Sequence, residues 1–130
     1  MKKNVFLVCA LALLYSCGGP TTYEPIGTAS YYITNLRSSS ITIKAVTQPG
    51  PPPTIVSVEV PPQETVKLMD FEGLGVNPHP ELSFISLEAF DQFDTSIYTQ
   101  NPINNSAWTE VIVNPHGADY YHTDYTLQIP

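Results

Sequence analysis

With 130 residues, twelve carboxylates and only five Lys or Arg, this chain carries a formal charge of −7 at pH 7. That balance excludes a nucleic-acid partner, because phosphate contacts need clustered basic side chains. The length suits one domain with a substantial core.

The chain opens with Lys2 and Lys3, a short positive segment, followed by an uncharged apolar run, Val5 to Leu14 (VFLVCALALL). Ten residues are too few to cross a bilayer, which takes about 20. The run has the length and flanks of a secretory signal peptide. It ends in Leu14-Tyr15-Ser16-Cys17, then Gly18-Gly19-Pro20. This resembles the lipobox of bacterial lipoproteins: an aliphatic residue, a tolerant position, a small residue, then cysteine. The resemblance implies that Cys17 takes a diacylglyceryl thioether, that cleavage follows Ser16, and that the new amino terminus is acylated. Residues 1–16 are then a removed leader. Stable anchoring takes more than one acyl chain, and a triacylated Cys17 meets that need. The residues after Cys17 lack the aspartate associated with inner-membrane retention. The expected location is therefore the cell envelope, at the outer membrane of a diderm bacterium.

Removal of the leader leaves three basic residues against twelve acidic ones, a net charge of −9. Attachment to anionic lipid through a polybasic patch is thereby excluded. Cys9 leaves with the leader and Cys17 is committed to the anchor. The domain then has no disulfide and no thiol for catalysis or metal binding.

Residues 17–27 comprise the lipidated cysteine and a tether (GGPTTYEPIG), which reaches at most about 35 Å when extended. From residue 28 to residue 130 the pattern is short strands separated by proline, glycine and asparagine. The expected strands are Ser30–Asn35, Ser40–Thr47 with Ile41, Ile43 and Ala45 on one face, and Thr54–Val60 with Val56, Val58 and Val60 on one face. Gln48 to Pro53 is an exposed polyproline-like loop between them. Thr65–Phe71 points Val66 and Leu68 inward and Lys67 outward. Glu72 to Pro80 is the longest loop. Glu81–Phe90 is ambiguous with a helical turn. As a strand it places Ile85, Leu87 and Ala89 on the core face. Thr95–Thr99 and Trp108–Val113 follow. The last segment, Tyr120–Ile129, alternates strictly, with Tyr121, Thr123, Tyr125, Leu127 and Ile129 on one face. Such spacing predicts an all-β protein, an antiparallel β-sandwich of immunoglobulin-like or Greek-key type with seven or eight short strands.

No catalytic motif is legible, and no cofactor is expected. His116 and His122 with Asp119 or Asp124 have the composition of a two-histidine, one-carboxylate metal site. Surface histidines at a turn and on an outward strand face are the plainer account. Asp70, Glu72, Asp91 and Asp94 offer oxygen ligands for calcium, but the spacing lacks that of an EF-hand loop, and turn-forming aspartates explain Asp91 and Asp94. Gly73-Leu74-Gly75 lacks the third glycine and the helix of a dinucleotide site.

The aromatic residues are the stronger candidates. Tyr32, Tyr98, Trp108 and Tyr120 lie in or beside strands. An outward row of them can stack on sugar rings, whereas core and rim packing is the plainer account. Three functions follow as expectations. The first is a lipid-anchored, non-enzymatic interaction module with the membrane and an envelope protein as partners. The second is a carbohydrate-binding module with a glycan partner. The third is a carboxylate hydrolase built on Asp91 and Asp94.

Overall fold

The computed structural model describes residues 26–48, 52–74, 78–114 and 120–130. The strands over them are β1 (Ile26–Asn35), β2 (Ile41–Thr47), β3 (Ile55–Val60), β4 (Thr65–Leu74), β5 (Phe84–Phe90), β6 (Ser96–Gln100), β7 (Trp108–Asn114) and β8 (Tyr120–Ile129). One helical turn, α1 (Pro80–Ser83), precedes β5, and a 3-10 turn, Asn105–Ala107, precedes β7. Cys17 and the leader lie outside the described residues. Among the described residues, no helix is long and apolar enough to cross a membrane.

The strands make two four-stranded sheets, ordered β4-β1-β8-β7 and β3-β2-β5-β6. The first is called sheet I and the second sheet II. Their inner faces share one core, so the fold is an all-β sandwich. β4 returns to the edge of β1 after the β2–β3 hairpin has crossed to the other sheet, and β5 returns to β2 in the same way. These circuits have Greek-key character. β1 and β8 pair in parallel along their whole length, from Ile26↔Tyr120 to Asn35↔Ile129. The other ladders are antiparallel. A parallel pair departs from the wholly antiparallel sheets expected. β1 and β8 come from opposite ends of the chain, so no hairpin sets their relative direction.

Strand alternation fills the core as the spacing predicts. Ile41, Ile43 and Ala45 of β2 are buried, as are Thr123, Tyr125, Leu127 and Ile129 of β8. On β3, Val60 is buried and Val56 and Val58 pack against the core. Tyr31 lies at the centre. It stacks on Tyr125 at 5.6 Å and meets Phe84 and Trp108 edge-on at 4.8 and 5.9 Å. Its hydroxyl donates to the Pro78 carbonyl and hydrogen-bonds Ser83 Oγ, both at 2.6 Å. Burial pushes the Tyr31 phenol up to about 12, against a smaller opposing effect of Ser83.

Asn35 closes one end of the sandwich core. Its buried amide nitrogen donates to the carbonyls of Ser39, Val60 and Pro61, and its Oδ1 accepts from the Arg37 amide. One side chain thus ties the β1–β2 connection to the end of β3.

Four expectations are corrected. β1 begins at Ile26, so Ile26 and Gly27 belong to a strand and not to the tether. β4 runs on through Gly73 to Leu74, held by β1 across Gly27↔Gly73. Glu81, Leu82 and Ser83 belong to α1 rather than to the start of a strand, because Pro80 sits at its first turn and suits that position. Ile85 is exposed, not in the core: the β2–β5 register passes from Val46↔Ser86 to Thr47↔Phe84, and this bulge turns Phe84 inward in its place.

Candidate polar site on the outer face of sheet I

The outer face of sheet I is set by the parity of β1. Ala29, Tyr31 and Ile33 point into the core, so Thr28, Ser30 and Tyr32 point out. β1 is flanked on both sides, and two rungs result. Glu72, Thr28 and His122 form one; Asp70, Ser30 and Asp124 form the next. A bulge at Leu68 resets β4, so that Lys67 pairs with Tyr32. The side chains line an open, shallow groove of about 520 Å³, with Phe71 and Val113 as its apolar walls.

The hydrogen bonds form one chain. Thr28 Oγ1 lies 2.7 Å from His122 Nδ1. His122 Nε2 is 3.2 Å from both Ser30 Oγ and Asp124 Oδ1. Ser30 donates its hydroxyl to Asp70 Oδ1 at 2.5 Å, and Lys67 Nζ donates to the same oxygen at 2.9 Å. One neutral tautomer satisfies every member. Thr28 donates to Nδ1, and the Nε2 proton is shared between Ser30 and Asp124; this assignment is made from the network. The Ser30 hydrogen bond, followed by Lys67, holds the Asp70 carboxyl below the usual range, and Asp70 holds Lys67 above its own.

Serine, histidine and aspartate meet here, but not in the order that acyl-transfer chemistry needs. In a hydrolytic triad the imidazole accepts the serine proton on one nitrogen while the carboxylate orients the other. Here the serine proton goes to Asp70, and Asp124 shares the nitrogen that faces Ser30. The far nitrogen is held by Thr28. Ser30 also lies in a strand laddered on both sides, where the backbone N–H groups serve the sheet.

Of the aromatic candidates with described side chains, only Tyr32 is brought to this groove, with Lys67 Nζ 5.6 Å from its ring centroid. Tyr98 lies on β6 of sheet II, packs against the core and accepts from Gln100 Nε2 at 2.7 Å. Trp108 is 6% exposed and stacks on Phe84. It is a core residue and not a ligand platform, because its strand position faces Leu127 across the β7–β8 ladder. The Tyr120 side chain lies outside the described residues, as do His116 and Asp119. The four calcium candidates are divided between sheets. Asp70 and Glu72 sit on β4, while Asp91 and Asp94 flank the β5–β6 turn. Asp91 Oδ1 accepts from the Phe93 and Thr95 amides, so it shapes that turn. Among the described residues, no three His, Cys, Asp or Glu side chains are grouped to hold a metal ion.

Sequence reasoning missed Thr28 and Ser30. The parity of β1 was available as a signal, since both hydroxyls alternate with Ala29 and Tyr31. Their partners were not, because β4 and β8 reach β1 only through long-range pairing. No family model matches this chain, and no curated protein matches it by sequence.

Proposed function

We propose that this chain is a lipid-anchored cell-envelope protein whose sandwich is a non-enzymatic interaction module. The anchor rests on the sequence Leu14-Tyr15-Ser16-Cys17 behind its apolar run. The non-enzymatic part rests on one observation: the Ser30 proton is directed to Asp70 and away from His122. A serine wired in this way hands its proton to a carboxylate held below its usual range, a weak base, and not to the imidazole. The module sits at the outer membrane of a diderm bacterium and engages an envelope protein. Among the described residues, a glycan platform at the groove would rest on Tyr32, whose ring already neighbours Lys67.

Mass spectrometry of the full-length protein, purified gently from membranes, tests the anchor. The expected amino-terminal fragment begins at acylated Cys17, with a protein partner co-purifying. A fragment that begins elsewhere without lipid overturns it. A fluorophosphonate probe tests the second part, and Ser30 is expected to stay unlabelled. Labelling at Ser30 would make the protein a hydrolase.

A further inference from the structure

The exposed large hydrophobic side chains are spread unevenly over the sandwich. β1 and β8 give its long axis, with Ile26 at one pole and Asn35 at the other. The Asn35 amide reaches the Val60 carbonyl, so β3 ends at the Asn35 pole and begins, with Ile55, toward the Ile26 pole. Val46 pairs with both Ile55 and Ser86, which places Ile85 and then α1 still closer to that pole. On sheet I, Ile112 shares a rung with Thr123 and Ala29, and Val113 lies beyond it. Ile55 is 66% exposed, Leu82 45% and Ile85 44%, and Ile112 and Val113 are exposed as well. The Asn35 pole exposes only Leu36 and Phe93 among the described large hydrophobics. It carries Glu59, Glu64, Asp91 and Asp94 instead, against Glu72 and Glu81 toward the Ile26 pole. Apolar surface gathered in this way marks a contact with a protein or a membrane.

We propose that the Ile26 pole rests on the bilayer surface, with Ile55, Leu82 and Ile85 dipping into the lipid interface. This rests on the lipid anchor at Cys17. Chain length selects the pole. Nine residue steps separate Cys17 from Ile26, a reach of at most about 32 Å. The ten residues of β1 themselves span about 31 Å. The Asn35 pole therefore reaches the bilayer only with the connection stretched to its limit along the flank of the domain. The Ile26 pole meets the bilayer with no stretch. Charge selects the kind of contact. A mature chain of −9 is not drawn to anionic lipid, so the contact is apolar and insensitive to salt. A few side chains hold a bilayer weakly in free solution. The anchor makes their contact intramolecular, at an effective concentration of about the millimolar range, where a weak contact is populated.

Lipid quenching of a thiol-linked fluorophore tests the orientation, with the full-length protein purified from membranes and reconstituted in phosphatidylcholine vesicles. With Cys9 removed and Cys17 acylated, an introduced cysteine is the one free thiol. Bimane is attached at Ile55→Cys, at Ile85→Cys and, for the opposite pole, at Phe93→Cys. All three sites are exposed, so the fold tolerates the changes. Spin-labelled lipid is expected to quench the first two about threefold or more above the third, at low and high salt alike. Adding Leu82→Glu and Ile85→Glu to the Ile55→Cys chain is expected to bring its quenching down to the Phe93→Cys level. Equal quenching at the two poles overturns the inference. So does protection of the Ile55→Cys and Ile85→Cys labels from iodide without quenching by lipid, which would assign the pole to a protein. Mass spectrometry of the same vesicles separates this from the anchor. Acylated Cys17 without quenching removes the inference alone, and unmodified Cys17 removes both.

Discussion

Ser30 and Asp70 face each other across the β1–β4 ladder, and the serine hydroxyl donates to the carboxylate at 2.5 Å. The carboxyl is held low by this bond and by Lys67. A depressed carboxyl contributes stability above its unfolded pKa, about 3.9, and loses that contribution as pH falls through its lower folded value. Asp70 is 63% exposed, so solvent screening keeps the effect below about 1 kcal/mol. Asp70→Asn is expected to be less stable than the parent at pH 7 and to converge with it below about pH 4. Urea melts between pH 2 and 7 measure this. A gap that stays constant over that range would show that Asp70 acts through shape and not charge.

His122 supports two hydroxyls that are otherwise withdrawn from water, Thr28 and Ser30, the latter 2% exposed. Removing the ring in His122→Ala leaves both without it, at a cost of about 1–3 kcal/mol. A double-mutant cycle with Thr28→Ala is expected to give a coupling of about 0.5 kcal/mol or more. Strict additivity of the two changes would mean that the 2.7 Å contact carries no stability.

Tyr31 carries the alkaline limb. A phenol raised to about 12 in the fold stabilises the protein below its unfolded pKa of about 10, and that stability is lost as pH rises from there toward 12. Tyr31→Phe is expected to cost about 1–3 kcal/mol at neutral pH, because Ser83 and the Pro78 carbonyl lose their partner. Alkaline destabilisation above pH 10 should also become shallower in that variant. Ultraviolet titration of the parent should find one tyrosine ionising last. If Tyr31→Phe leaves the alkaline limb unchanged, another group controls it.

Trp108 reports on the core. Its indole stacks on Phe84 at 6.1 Å with the planes 7° apart, and its Nε1 donates to Gln100 Oε1 at 3.3 Å. Native fluorescence is expected to be blue-shifted and unmoved by added glycans. Trp108→Ala is expected to cost about 3–5 kcal/mol. A glycan-dependent change in emission would return Trp108 to the surface and revive the sugar-binding expectation.

The strands themselves were legible because β2, β3 and β8 keep strict alternation, and alternation is a local property. The failures fall where one extra residue breaks the period. Ile85 reads as a core position until the bulge on β5 moves Phe84 inward. On β4, Leu68 and Met69 are neighbours that both face the core side, since the bulge resets the count between them. On β6, Ile97 and Tyr98 do the same beside the Ala89–Phe90 irregularity. The polar groove was legible only in fragments. Asp70, His122 and Asp124 stood out as ionisable residues, but Ser30 links them through a β1 that must first find β4 and β8. Their separations in sequence, 40 residues for Ser30–Asp70 and 92 for Ser30–His122, give local patterns no purchase.

The parallel pairing of β1 with β8 has a mechanical consequence. The first strand enters the sheet beside Tyr120 and leaves it beside Ile129, so the start of β1 and the end of β8 lie at opposite poles. A load applied between the amino-terminal side and Pro130 draws β1 one way and β8 the other along their common axis. All ten register pairs then resist together, in shear, and none can be unzipped singly. A domain held at one end and pulled from the other therefore meets the force with its longest ladder.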